Sequence, residues 1–138
     1  MILVHLFREI NNLEEKAIIT DEFKDITNND MHVIEAIGLN DEKNMSTIAG
    51  SLSVTVGTLT TAMNSLVKKG YVVRRRGEKD KRVVYISLSE KGKKAYLHHE
   101  KFHKEMIDAA LQRLDSEKTE VLVQVLKDLA EFLSAWKQ

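Results

Sequence analysis

The 138-residue sequence contains no cysteine, which excludes disulfides, thiolate metal sites and thiol redox switching within the chain. It also lacks any apolar run near the roughly 18 residues that a membrane-spanning helix needs. Its apolar opening, MILVHLF, is interrupted by His5 and followed by Arg8 and Glu9. That opening has no small-residue cleavage site of the kind that ends a signal peptide. No membrane partner is expected, and a cytoplasmic location fits. The constellations of an enzyme are missing as well: no nucleophile and base pair, carboxylate dyad or phosphate-cradling glycine loop rises above chance, and no cofactor is expected. No internal repeat or low-complexity segment is found. Excess charge of one sign is absent too, since 21 basic residues face 21 acidic ones.

What is present is a globular composition, 43% hydrophobic, enough for one domain or one subunit of an oligomer. The neutral total hides an uneven distribution. From Asn44 to Lys94 there are eleven basic residues against three acidic ones, Glu78, Asp80 and Glu90, so the flanks are acidic by the same margin. The middle of the chain attracts polyanions and the ends do not.

Hydrophobic spacing sets the elements. Ile2, Leu3, Leu6, Phe7, Ile10, Leu13, Ala17 and Ile18 recur at helical intervals and predict a first helix to about residue 19. Thr27, with Asp30 three positions later, opens a second helix carrying Met31, Ile34 and Ile37, which Gly38 ends. Asn44 can cap a short third helix with Ile48, Ala49 and Leu52 on its inner face. After a polar turn at Ser53 to Thr55 comes TVGTLTTAMNSL, where four threonines crowd twelve residues although threonine is a poor helix former. Leu59, Met63 and Leu66 nevertheless keep one apolar face, and Lys-Lys-Gly70 stops the run, so the pair of helices reads as a helix-turn-helix.

YVVRRR at 71–76 and VVYISL at 83–88, joined by GEKDKR, then predict a β-hairpin, which makes the unit a winged helix. A long helix follows from Ser89, with Gly92 expected to delay its regular geometry, and Ser116 is expected to cap a last helix. Leu122, Val125, Leu126, Leu129, Phe132, Leu133 and Trp136 line that final helix. The fold class is therefore mainly α with a small β-hairpin wing: a winged helix-turn-helix at 27–92, flanked by helical dimerisation segments at 1–19 and 93–138. Apolar stripes on both terminal helices exceed what so small a core can cover, so a symmetric partner is the simplest cover.

With the second helix of the pair in a major groove, Gly57, Thr60, Thr61, Asn64 and Lys68 face outward. A threonine hydroxyl can bond a phosphate or base edge while its methyl meets a thymine methyl. Gly57 lets the backbone come close, and Thr55 caps a helix N-terminus whose free N–H groups favour phosphate. On the wing, Arg76, Lys81 and Arg82 supply positive charge. An arginine at the hairpin tip can enter a narrow A·T-rich minor groove, with Asp80 to orient it.

In this order the elements resemble the MarR family of bacterial repressors over essentially the whole chain. The D-x-R wing at Asp80 and Arg82, followed by L-S-x-x-G from Leu88 to Gly92, is the most specific match. VTVGTLTTAMNSLVKKGY and F-H-K at Phe102 to Lys104 resemble the branch that regulates fatty acid synthesis genes in low-GC Gram-positive bacteria. The resemblance implies a homodimer on an A·T-rich palindrome of double-stranded DNA, with long-chain acyl-acyl carrier protein as corepressor. It implies that Thr55, Val56, Gly57, Thr58, Thr60, Thr61 and Asn64 serve the major groove and that Arg82 enters the minor groove. One departure is that the first helix opens almost at Met1, where related chains carry several residues ahead of it.

Two other readings compete. His99 and His103, at i and i+4 beside His98 and Glu100, have a spacing that lets two imidazoles grip one metal, and His32 could add a third ligand to give a zinc-responsive regulator. A polar histidine cluster on a long helix is more often plain surface. A winged helix used only for protein contacts would not need basic charge on both recognition helix and wing. An apolar effector pocket is expected near Phe7, Met31, Ile34, Phe102 and Met106.

Overall fold

The computed structural model describes residues 1–18, 20 and 22–136. It divides into two units, Met1–Glu100 and Lys101–Gln138, so the first helix falls with the winged region.

In the first unit, α1 (Ile2–Ile18) precedes α2 (Asn28–Ile37); residue 19, where the first helix was expected to end, lies outside the described residues. The start of α2 carries the expected reciprocal cap: the Asp30 N–H donates to Thr27 Oγ1 at 3.0 Å and the Thr27 N–H to Asp30 Oδ2 at 3.1 Å. Gly38, at φ +74°, closes it. A two-residue strand, β1 (Lys43–Asn44), leads into α3 (Met45–Leu52), and Asn44 Oδ1 accepts the Thr47 N–H at 2.8 Å. The tight turn through Ser53, which takes the left-handed φ of 56°, passes to α4 (Val56–Lys69). β2 (Val72–Arg76) and β3 (Val84–Leu88) form the hairpin. The sheet has three antiparallel strands in the order β1-β3-β2, with Lys43 and Arg74 both opposite Ile86. Two residues are too few to establish a period of two, which is why β1 was not expected.

Ile34, Ile48, Leu59, Met63, Leu66 and Ile86 are fully buried against one another in a single core. Each such side chain contributes roughly 1.5–3 kcal/mol. Tyr71 is 0% exposed at its centre. Its N–H donates to Leu66 O at 3.0 Å and its carbonyl accepts the Ser89 N–H at 3.0 Å. Around these bonds the recognition helix, the hairpin and the next helix meet.

That next helix, α5 (Glu90–Leu111), is regular from its first residue. Ser89 caps it, its Oγ accepting the Gly92 N–H at 3.1 Å. Gly92 therefore does not delay the helix, as had been expected. It is needed because a Cβ there would stand 2.1 Å from the Tyr71 carbonyl oxygen.

In the second unit, α6 (Ser116–Trp136) has no buried residue. Its cap is Asp115, one position earlier than expected, whose Oδ1 accepts the Lys118 N–H at 2.8 Å. A carboxylate at a helix N-terminus accepts a stronger, charge-assisted bond than a serine hydroxyl, and the helix dipole favours it. Among the described residues no helix is long and apolar enough to cross a membrane.

The glycines make an internal comparison. Gly92→Ala is expected to destabilise the protein by about 2–3 kcal/mol, because the clash is with backbone that cannot swing aside. Gly50→Ala, in α3 with nothing within 4 Å of the new methyl, is expected to stabilise by about 0.5–1 kcal/mol through helix propensity. Urea denaturation of the two variants checks the opposite signs.

Candidate nucleic-acid interface

Along α4 the apolar face of Leu59, Met63 and Leu66 is buried, while Thr55, Val56, Gly57, Thr58, Thr60, Thr61, Asn64 and Lys68 are all exposed. The four threonines differ in what holds them. Thr55 Oγ1 accepts the Thr58 N–H at 3.1 Å and pairs with the Thr58 hydroxyl at 3.0 Å, so this couple caps the helix. The Thr60 hydroxyl donates to Val56 O at 2.8 Å, which ties up its proton and leaves its lone pairs. The Thr61 hydroxyl has no partner among the described residues.

The basic strand is likewise not uniform. Arg74 Nη1 donates to Asn64 Oδ1 at 2.5 Å, reaching back to the recognition helix. Arg75 forms a two-pronged ion pair with Glu42, with Nε–Oε2 and Nη2–Oε1 both 2.8 Å, and its guanidinium lies 4.6 Å from the Tyr85 ring centroid. Arg76 is exposed at the strand end. Strand alternation separates the three: Arg74 lies opposite buried Ile86, whereas Arg75 pairs with Tyr85.

The wing is closed by two backbone bonds, Gly77 N–H to Val83 O at 2.8 Å and Val83 N–H to Asp80 O at 3.1 Å. A side chain at position 77 would meet Asp80 O at 2.6 Å, so the turn admits only glycine. At the tip, Asp80 accepts the Arg82 backbone N–H at 3.0 Å and its Nε and Nη2 at 3.1 and 3.2 Å. Arg82 is thus aimed although its side chain is 91% exposed. These bonds hold the Asp80 carboxyl below the usual carboxylate range. Lys81 is exposed beside it.

Helix and wing border one groove of about 790 Å³, lined by Met45 and Ser46 of α3, Val56 and Thr60 of α4, the Arg74–Arg76 run and Arg82. Asn44, Met45 and Ser46 were not expected at this groove, because locally they form the cap and first turn of α3, and the Arg74–Asn64 contact has no local signal in the sequence.

The remaining expected site residues do not line that groove. Met31 and Ile34 are packed into the core of the first unit, so the inward face of α2, and not an effector cavity, accounts for their apolar character. Phe7 is exposed on α1, and Phe102 and Met106 are half-buried in the second unit. Of the possible metal ligands, His99 is buried with Nε2 2.5 Å from Glu35 Oε1, and His32 is exposed. His103 belongs to the second unit, its ring 5.8 Å from that of Phe102. His98 Nε2 lies 3.0 Å from Ala17 O.

Comparison with known proteins places these features. Residues 16–96 match the family model described as transcriptional regulator SarA/Rot. The HTH-type transcriptional regulator PchR of Bacillus subtilis is 32% identical over 104 residues, which cover 75% of this chain and 62% of PchR. The chain spans about three fifths of the length of the curated relatives it matches first. Streptococcus pneumoniae FabT, solved in complex with DNA, superimposes with a TM-score of 0.91 at 35% identity, covering 96% of this chain and 93% of FabT. A MarR family transcription regulator, covering 94% of this chain and 84% of that one, has a TM-score of 0.82 at 15% identity, a likeness of fold.

The Asp80–Arg82 pair yields a test by titration. A depressed folded pKa means that the pair is intact above the ordinary carboxylate midpoint of 3.8 and is lost only as pH falls below it. The Asp80 carboxyl carbon shift in NMR is expected to titrate below that midpoint and to move back toward it in Arg82→Ala, which removes the guanidinium bonds and keeps the backbone N–H bond.

Proposed function

The chain belongs to the SarA/Rot family of transcriptional regulators, and from that premise we propose that it is a homodimeric repressor of fatty acid synthesis genes. It binds an A·T-rich palindrome in the cytoplasm, with long-chain acyl-acyl carrier protein as corepressor. That it is a DNA-binding transcriptional regulator of the winged-helix type follows from its family and fold. The observation that carries the reading is the single groove bordered by the outward face of α4 and by the wing arginines.

Each part has a physical role there. The capped N-terminus of α4 directs backbone N–H groups at a phosphate. Val56 and the threonine methyls suit thymine methyls, and the Thr61 hydroxyl is available to a base edge. Arg82, aimed by Asp80, suits the negative potential of a narrow minor groove. Symmetric pairing of subunits would set two such helices about one turn of DNA, or a multiple, apart. Support for the dimer is the apolar surface left open on the terminal helices: Ile2 is 87% exposed, Phe132 57% and Trp136 74%. Support for the regulated genes and corepressor is the likeness to FabT across nearly the full length of both chains.

Operator binding tests the reading directly. The slope of log K against log[salt] is expected to be about −0.9 per phosphate contacted, and steep with several contacts per subunit. Long-chain acyl-acyl carrier protein is expected to raise the affinity and zinc to leave it unchanged. A flat salt titration would remove the DNA interface, while a response to zinc alone would replace the corepressor.

Assembly is tested separately. Leu129→Asp or Trp136→Asp places a carboxylate in the proposed dimer seam and is expected to weaken association by about 3 kcal/mol or more, with operator affinity falling in step. Sedimentation that finds a wild-type monomer bound to a full palindrome would contradict the dimer.

A further inference from the structure

The Arg74–Asn64 contact runs from the wing strand to the exposed face of the recognition helix, with Nη1 to Oδ1 at 2.5 Å. A guanidinium has donors and no acceptor. The atom of the Asn64 amide that faces it must therefore be the oxygen, and the amide nitrogen with its two hydrogens points the other way. That nitrogen has no partner among the described residues. Asn64 is exposed, one turn beyond Thr60 and Thr61 and one turn before Lys68.

We infer that Arg74 is a positioning residue that fixes the Asn64 amide with its NH2 toward DNA, making Asn64 a reader of hydrogen-bond acceptors on a major-groove base edge. The inference rests on the DNA-binding reading above and adds a rule of specificity to it. An unconstrained asparagine prefers adenine, because its oxygen accepts from N6 while its nitrogen donates to N7. With the oxygen turned to Arg74 and away from the base edge, half of that pair is lost. Guanine, which offers O6 and N7 as two acceptors and no donor on that edge, becomes the better partner. A phosphate oxygen is also an acceptor, but it would carry no base preference.

The test is binding of wild type, Arg74→Ala, Arg74→Lys, Asn64→Ala and the Arg74→Ala/Asn64→Ala pair to a library of operator variants, with melting curves to verify folding. Wild type is expected to favour guanine over adenine at one position in each half-site. Arg74→Ala, which frees the amide to turn, is expected to reverse that preference by on the order of tenfold. Arg74→Lys, which keeps a donor in place, is expected to retain it, and Asn64→Ala is expected to abolish it whether or not Arg74 is present. Uniform weakening on every sequence by Arg74→Ala and Asn64→Ala would overturn the inference and put the amide on phosphate. A base preference that shifts in Arg74→Ala even without Asn64 would overturn it as well. The underlying DNA reading fails only if wild type shows no salt-dependent binding to any duplex, which is a different result from specific binding with unchanged preference.

Discussion

The enclosure of Tyr71 is the constraint on which the placement of α4 and the wing depends. Its phenol donates to Asp25 Oδ1 at 2.6 Å, its ring lies 6.4 Å from that of Phe23, and Lys91 Nζ sits 4.4 Å from the ring centroid. Burial first, and the bond to Asp25 second, push the phenol well above the ordinary tyrosine range; the same bond holds Asp25 below the usual carboxylate range. An aromatic side chain so enclosed is worth roughly 3–5 kcal/mol. Its backbone matters as much as its ring. The N–H finishes the recognition helix and the carbonyl holds the start of α5, against which Gly92 leaves no room for a side chain.

Because Tyr71 anchors the end of α4 and precedes β2 directly, the geometry of helix and wing is shared. Asp30 adds a second tie. It caps α2 through Thr27 and accepts Lys69 Nζ at 2.8 Å, so a carboxylate that is itself buried is satisfied by a helix N-terminus and a cation together. With both ends of the junction held, three residues of chain carry Tyr71 to Arg74, close enough to meet Asn64 on the helix already fixed. Positive charge at the interface is consequently divided by task. Arg75 braces the sheet through Glu42 and Tyr85, Arg74 holds an amide, and Arg76, Lys81 and Arg82 remain on the surface.

The two units follow different economies of burial. The first closes a core around small winged-helix elements and leaves its polar face open, whereas α6 closes none. The helix is apolar over Val121, Leu122, Val125, Leu126, Leu129, Phe132 and Leu133 and exposed at all of them. An apolar surface of that extent is the physical ground for the symmetric cover proposed above, which would set equivalent recognition helices at the repeat of DNA.

Periodicity and punctuation alone determined the helices, the hairpin and the inward face of the recognition helix. Spacing of apolar residues and capping by Thr27, Asn44 and Thr55 are local properties of the chain. The exposed surface of α4 was legible for the same reason, since the face opposite Leu59, Met63 and Leu66 must be open. Tertiary structure decided what distance in sequence conceals. β1 exists only because β3 passes beside two residues, and Arg74 and Arg75 look alike until strand alternation sends one to Asn64 and the other to Glu42. Met31 and Ile34, apolar and suited to a pocket by composition, became core when α2 packed inward. Gly92 reads as a helix breaker until the Tyr71 carbonyl is seen 2.1 Å from where its Cβ would be. A sequence states which groups a residue carries, but only folding brings those groups within bonding or clashing distance of residues far along the chain.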